Sequence, residues 1–335
     1  MKQAPLKFTL LAILVLIFFV LDLVFGSVTI PFKDFFKLLL GDEIKESWRY
    51  IILDFRLPKA ITAILAGASL SVAGLLMQTL FRNPLAGPFV LGVSSGASLG
   101  VALYIMGGSF FISTIGLASI SNVGIILSAV IGALAAMFLV IIAGAKLKNN
   151  LTLLIVGIMF GSLTSAVVSI LQYFSTAENI QRFVVWTMGS LSAVSMSEIA
   201  YIAPLIIITL IVCVTLQKPL NTILLGENYA KSLGTNIDKI RMTLLVITGI
   251  LAGVITAYTG PIAFIGIAIP HLSRNLFKTS NHSILIPSVI LIGSIFMLIC
   301  DIFSQLPGNS STLPINSVSA IFGAPIVIWI IMKRN

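Results

Sequence analysis

The chain has 335 residues, of which 58% are hydrophobic and only 9% are charged. Soluble domains carry about 25% charged residues, so this composition excludes a soluble protein and predicts an all-α, polytopic membrane protein. The net charge of +9 would suggest nucleic-acid binding in a soluble protein, but in a membrane protein it reflects cations that hold loops in the cytoplasm. Cys213 and Cys300 lie in apolar runs, which predicts no disulfide and no metal site.

The first apolar run covers residues 8–25 and follows Lys2 and Lys7. A signal peptide has the same charge order, and residues 24–26 form an acceptable cleavage site. However, the run is longer than a typical signal-peptide core of about 7–15 residues. We therefore expect a retained first membrane helix, with Asp22 near its outer end and within reach of water. Residues 28–55 mix both charges with apolar residues, which predicts surface helices outside the membrane.

Residues 56–100 read as two Gly-rich apolar helices joined by the polar turn Arg82-Asn83-Pro84. Small residues at four-residue spacing let helix backbones approach closely in a bilayer. They recur on both predicted helices: Ala63, Gly67 and Ser71 on the first, and Gly92, Gly96 and Gly100 on the second. This stretch predicts closely packed helices.

The later apolar runs predict seven more spans, which gives about ten in total. These runs are residues 123–145, 151–174, 199–216, 240–258, 262–277, 284–303 and 313–332. With ten spans, thirteen of the 20 basic residues fall on the side of the N-terminus, so both termini are expected in the cytoplasm. We expect a single membrane domain over residues 1–335.

Several kinds of chemistry are missing from the sequence. It has no GxxxxGK[ST] motif, so it cannot hydrolyse ATP in the P-loop manner. No carboxylate or lysine falls at the centre of a predicted span, where an ion-coupled carrier usually needs one. His271 and His282 are single residues, expected to be structural or solvated rather than metal ligands. We therefore predict no catalytic residue, no metal site and no cofactor.

Several motifs together resemble one family, the iron-siderophore, haem and cobalamin importer permeases of the FecCD or BtuC type. The matching strings are Arg56-Leu57-Pro58-Lys59, Gly74 to Gln78, Asn83-Pro84-Leu85-Ala86, Leu91 to Ala97, Trp186 to Leu191, Gly260-Pro261, Pro270-His271 with Arg274, and Leu225 to Gly234. The resemblance covers residues 50–335 and implies a ten-helix permease fold. It also suggests inverted repeats that begin near Arg56 and Arg241.

The resemblance implies roles for three groups of residues. In residues 217–240 two very short helices would dock on an ATPase subunit through Leu225, Gly226, Glu227, Ala230, Leu233 and Gly234, with Ala230 and Leu233 facing the partner. An inner gate would use Asn83 and Leu85 together with Asn150 and Leu151. Arg56 and Lys59 would stand at a helix start, reach water and dock an external binding protein. Lys59 and Gln305 depart from the arginines usual at these outward-facing positions.

The expected function is therefore the membrane subunit of an ATP-driven importer for an iron(III)-siderophore. Its implied partners are two ATPase subunits, a second permease subunit, an extracytoplasmic binding protein and membrane lipid, with no nucleic acid. Haem or cobalamin import is an alternative that shares these motifs. A secondary transporter and a passive channel are alternatives of other classes, disfavoured by the missing central charges and by the coupling motif respectively.

Overall fold

The structure, a computed structural model, describes residues 4–28, 30–107, 121–146, 150–305 and 312–334. Within these ranges every regular element is a helix. The α-helices, numbered in chain order, are α1 Ala4–Val24, α2 Phe32–Leu40, α3 Glu46–Tyr50, α4 Leu57–Phe81, α5 Val93–Ile105, α6 Asn122–Lys146, α7 Asn150–Tyr173, α8 Ala177–Thr187, α9 Met196–Thr215, α10 Gln217–Leu224, α11 Glu227–Ser232, α12 Ile237–Thr259, α13 Ile265–Phe277, α14 His282–Ser304 and α15 Ile315–Arg334. A 3₁₀ turn, Pro88–Leu91, precedes α5.

The ten predicted spans all correspond to helices. Seven described helices are long and apolar enough to cross a membrane, and α5 and the 315–329 part of α15 are shorter apolar helices. The tenth is α13, which has 13 residues and contains Pro270. The prediction of an all-α membrane protein with about ten spans is confirmed.

Helix α4 lies at the centre of the bundle. It is preceded without a break by α3 and a π-helical segment, Ile51–Arg56, so that one 36-residue helix runs from Glu46 to Phe81. Nearly every residue of this helix from Pro58 to Phe81 is buried inside the chain. Helices α12, α13 and α14 pack against α4. The stretch predicted to be closely packed is therefore the core of the molecule.

The small residues lie where backbones touch. A Cβ on Gly67 would overlap the carbonyl of Gly293 in α14, and a Cβ on Gly74 would overlap the carbonyl of Gly266 in α13. Similarly, Gly100 in α5 packs against the backbone of Ser128 in α6. The predicted role of these residues in close packing is confirmed. One detail differs, because Gly92 has a φ of 71° and precedes α5 instead of belonging to it.

The outer helices are inverted relative to those of a soluble protein. Helix α6 buries Ala129, Ala133 and Ala136 and exposes most of its large apolar side chains, and α7 and α9 also expose large apolar residues. The exposed residues of α6 include Leu127, Ile131, Leu134 and Phe138. Contiguous apolar surface of this extent requires lipid or another protein as its neighbour.

The bundle has two distinct ends. At the end that we call the loop end, Lys7 Nζ donates to the carbonyl of Leu276 at 2.8 Å, and Arg82 Nη2 donates to the carbonyl of Ile223 in α10 at 3.2 Å. At the opposite end, the far end, Lys59 pairs with Asp301 in α14. The start of α1, the C-terminus of α4, α10 and the C-terminus of α13 thus meet at the loop end.

Candidate functional site

Residues 217–240 contain the two short helices that the sequence predicts, α10 and α11. Each ends at a glycine in a left-handed conformation, with φ of 119° at Gly226 and 77° at Gly234. L-residues with a Cβ rarely adopt such angles, so both glycines are required for the chain to turn. Two helices this short cannot persist in water without packing. Here the buried side chains of Leu220 and Ile223 provide this packing for α10.

The predicted orientation of Ala230 is wrong. Ala230 is fully buried and packs with Ile223, Ile237 and Ile240 of its own chain. The resemblance implied that Ala230 and Leu233 both face the partner. However, α11 ends at Ser232 and Leu233 is its C-cap, so Leu233 lies beyond the helix and is exposed, whereas Ala230 is buried. Ala230 therefore packs within its own loop, and its role in ATPase coupling stays a prediction.

The apolar residues of this loop that do face outward are different ones. Leu225 is 66% exposed and Leu233 is 58% exposed, as the coupling prediction requires. Leu224 and Tyr229, which the sequence analysis did not select, are also exposed. Their signal in the sequence was their apolar character within a polar loop. For Glu227 the structure describes the backbone alone.

The turn after α4 has a defined geometry. Arg82 adopts a left-handed φ of 47° and ends the helix. Asn83 Oδ1 accepts a hydrogen bond from the Leu85 backbone N–H at 2.9 Å, and this Asx turn leaves Leu85 45% exposed. The His271 Nε2–H donates to the Pro84 carbonyl at 2.8 Å and fixes the turn to α13. The turn is therefore held in place while it presents Leu85 outward.

The motif residues of α4 and α13 contact each other. Arg274 Nη1 donates to Gln78 Oε1 at 2.6 Å, and Gln78 Nε2 donates to the carbonyls of Gly266 and Ile267 at 3.4 and 3.3 Å. Gln78 and Arg274 are thus partners in one contact, which the sequence analysis did not foresee. For Asn150 and Leu151, in the first turn of α7, the structure describes the backbone alone. The gate role of all four residues, Asn83, Leu85, Asn150 and Leu151, stays a prediction.

The predicted exposure of Arg56 and Lys59 is wrong. Arg56 is only 6% exposed and Lys59 only 9%. Pro58 suggested a helix start here, but the helix already begins at Glu46, so both cations lie inside a longer helix. Their predicted docking role stays untested, and it would require both side chains to leave the partners described next.

Arg56 closes the end of α1. Its Nη1 donates to the carbonyls of Leu23 and Val24 at 2.9 and 2.6 Å, and its Nη2 donates to the carbonyl of Val28. The last carbonyls of a helix have no partner within the helix, and a cation there also opposes the negative end of the dipole. Arg56 thereby joins α1 to the long central helix.

Lys59 takes part in a buried polar cluster, which we call the far-end cluster: Asp22, Lys59, Asp301 and Gln305. Lys59 Nζ lies 3.0 Å from Asp301 Oδ1. Gln305 Nε2 donates to Asp22 Oδ1 at 3.1 Å and to Asp301 Oδ2 at 3.3 Å. Asp22 and Gln305 were expected to face water or a partner, but both are buried. The cluster joins α1, α4 and α14.

A cavity of about 500 Å³ lies between the start of α6, α8 and the end of α12. Its walls combine aromatic, hydroxyl, amide and guanidinium groups from Trp186, Tyr258, Gln181 and Arg182. Ligand cavities usually have volumes of about 300–1,000 Å³. The lining residues come from three separate segments of the chain, so the sequence could not show that they lie together.

Known permeases are similar in sequence to this chain over most of its length. The chain is 34% identical to the vitamin B12 import system permease protein BtuC of Salmonella arizonae over 293 residues, which cover 88% of this chain and 86% of the relative. For BtuC of Salmonella typhi the identity is 33%, with 88% and 87% covered.

Two solved structures resemble the fold. A metal-chelate type ABC transporter in an inward-facing conformation has a TM-score of 0.86 at 29% identity, with 98% of this chain and 99% of that chain covered. PsaBC from Streptococcus pneumoniae in complex with Fab has a TM-score of 0.51 at 18% identity, and this match shows likeness of fold alone. The FecCD transport family matches residues 14–333, nearly the whole chain. This chain therefore belongs to the FecCD transport family and is an ABC importer permease of the FecCD/BtuC type.

Proposed function

We propose that the chain forms the translocation pathway for a ferric siderophore, delivered by an extracytoplasmic binding protein. As a permease it is a transport subunit, and ATP is hydrolysed by separate ATPase subunits with which a pair of permeases assembles. The observation that carries the coupling part of the proposal is the exposed apolar set Leu224, Leu225, Tyr229 and Leu233 on α10 and α11. Such side chains on short surface helices favour burial against a partner.

The proposed pathway closes at the loop end, which we assign to the cytoplasm. The turn at Asn83 and Leu85 lies beside α10, since Arg82 bonds to the carbonyl of Ile223. Leu85 is presented outward by a turn fixed on both sides, which suits a gate side chain that meets its counterpart across a pair of permeases. The exposed apolar faces of α7, α9 and α15 supply surface for a second permease and for lipid.

Cobalamin is the second candidate substrate, because the relatives with 33–34% identity are vitamin B12 permeases. The structural neighbour described as a metal-chelate type transporter supports a metal chelate more generally. The sequence motifs are shared by siderophore, haem and cobalamin permeases, so substrate choice needs a direct experiment.

The test is ATP-driven uptake into proteoliposomes that contain the permease and its ATPase, with the binding protein added outside. Radiolabelled ferric siderophores, haem and cobalamin are supplied one at a time. We expect accumulation of a ferric siderophore that depends on ATP and on the binding protein. Accumulation of cobalamin or haem instead would overturn the siderophore assignment. Accumulation driven by a proton or sodium gradient without ATP would indicate a secondary transporter.

A further inference from the structure

Three side chains connect α10 to the C-terminal end of α4: Asn221, His282 and Thr79. Asn221 Oδ1 lies 2.9 Å from His282 Nδ1 and 2.8 Å from the His282 backbone nitrogen. An amide oxygen only accepts, so Nδ1 carries a proton and donates. His282 Nε2 lies 2.8 Å from Thr79 Oγ1. In the neutral ring Nε2 is an acceptor, so the single proton of the Thr79 hydroxyl is shared between His282 Nε2 and the Leu75 carbonyl, which lies 2.9 Å from Oγ1.

A second set of bonds runs alongside this connection. Asn221 Nδ2 donates to Asn281 Oδ1 at 2.8 Å, and Asn281 caps α14 by accepting from the Ser283 N–H at 2.9 Å. Arg82, three residues after Thr79, donates to the carbonyl of Ile223. Helix α10 is therefore attached by directional bonds to the start of α14 and to the end of α4.

Two of the three side chains of the connection are shielded from water, whereas Asn221 is half-buried. His282 and Thr79 are both buried, so neither side chain can exchange its partner for solvent at little cost. The remaining attachment of α10 is through Leu220 and Ile223, whose apolar contacts allow sliding. A hydrogen bond is lost on misalignment, so a displacement of α10 must either carry Thr79 along or break these bonds.

We propose that Asn221, His282 and Thr79 transmit movement of the α10–α11 loop to the turn at Asn83 and Leu85. The inference rests on the proposed coupling and gating roles of these two segments and assigns the link between them. His282 is the positioning residue at its centre. Its imidazole spans the gap between an amide on α10 and a hydroxyl in the last turn of α4.

Four substitutions interrupt or preserve the connection. Thr79→Val removes the hydroxyl and keeps the shape, whereas Thr79→Ser keeps the hydroxyl. His282→Asn retains an amide near the Nδ1 position and loses the contact to Thr79, and His282→Gln does the reverse. The matched control is Thr62→Val, because Thr62 is also buried on α4 and bonds only within its own helix, to the Pro58 carbonyl at 2.8 Å.

The measurement is the labelling rate of a cysteine at position 85 in the permease–ATPase complex, with and without ATP. Cys213 and Cys300 are buried and are replaced by Ala to give the background. We expect ATP to change labelling in the background, in Thr79→Ser and in Thr62→Val. In Thr79→Val and in both His282 variants, the ATP-dependent change in labelling rate should be at least about fivefold smaller than in the background. Fivefold is about the lower end of the range for allosteric coupling. Copurification of the ATPase should stay unchanged, while loss of a buried hydrogen bond should lower the melting temperature in these variants and in Thr62→Val alike.

An unaltered ATP response in Thr79→Val and in both His282 variants would overturn the connection, and so would an equal loss in Thr62→Val or in Thr79→Ser. If ATP does not change labelling at position 85 in the background, the connection is also overturned, since no effect of ATP would then reach the turn at Asn83 and Leu85. Failure to import a ferric siderophore, combined with a normal ATP response at position 85, would refute the proposed substrate and leave the connection standing.

Discussion

At the scale of single residues, the far-end cluster shows how this chain treats its buried charges. Lys59 and Asp301 form an ion pair away from water, and Gln305 bonds to both buried aspartates. Removing one partner of a buried pair leaves the other charge uncompensated, whereas removing both is often tolerated. Removing one charge of the far-end cluster should therefore lower the thermal stability much more than removing both charges of the pair.

We expect Lys59→Met to destabilise the chain by about 3–5 kcal/mol, because Asp301 then lacks its cation. The double variant Lys59→Met with Asp301→Leu should recover most of this loss. Thermal unfolding of the purified protein in detergent measures both effects, with the exposed Lys33→Met as control.

An unchanged melting temperature in Lys59→Met, together with weaker docking of the binding protein, would contradict the structural role. It would support the docking role instead.

At the scale of elements, the sequence predicted the existence of the helices and missed which way some of them face. Close packing followed from glycine spacing, because only a missing Cβ allows contacts such as that of Gly74 with Gly266. The two short helices of residues 217–240 were expected from the resemblance, and Gly226 and Gly234 turn the chain after each of them. The side of α11 that is buried could not be predicted, since six residues contain too little periodicity to define a face.

We expect Gly74→Ala to be strongly destabilising, because its Cβ would overlap the Gly266 carbonyl of α13. The matched control is Gly161→Ala in α7, where the nearest atom to the new Cβ would be Ser95 Oγ at 3.4 Å. In the control, alanine should gain the helix propensity of about 1 kcal/mol that glycine lacks. Equal melting temperatures for the two variants would contradict the packing assignment.

We expect Leu233→Glu to weaken binding of the ATPase about tenfold or more without unfolding the permease, because Leu233 is exposed on the apolar side of the loop. Ala230→Arg should instead unfold the loop, since it places a charge among Ile223, Ile237 and Ile240. Copurification reports binding, and limited proteolysis of residues 217–240 reports unfolding. Normal ATPase binding by Leu233→Glu would remove this side of the loop from the interface.

At the scale of the whole molecule, composition and motifs predicted the membrane class, the ten spans and the family. They failed at the far end, where Arg56, Lys59 and Asp22 were expected in water. A sequence window cannot show that Asp301, more than 200 residues later, lies beside Lys59. Nor can it show that the helix begins ten residues before Arg56. Long-range pairing, which three-dimensional packing alone creates, accounts for these errors.

The orientation of the bundle can be tested with single cysteines at exposed positions of its two ends. Ser47 lies in α3 at the far end and Asn228 in α11 at the loop end. With the loop end in the cytoplasm, an impermeant thiol reagent added to intact cells should label Ser47→Cys and spare Asn228→Cys. Permeabilised cells serve as the control in which both react. The reverse pattern would invert the proposed topology.

The unbroken helix from Glu46 to Phe81 is longer than the bilayer is thick. Its 36 residues correspond to about 54 Å at 1.5 Å per residue, against about 30 Å for the hydrocarbon core. Tilting a rod of this length by about 5° moves its tip by about 5 Å, more than the length of a hydrogen bond. A rigid tilt that displaces the end near Tyr50 therefore also displaces the end at Arg82. By reciprocity, if a partner bound at one end of this helix shifts the tilt, a partner bound at the other end alters the affinity of the first by the same free energy.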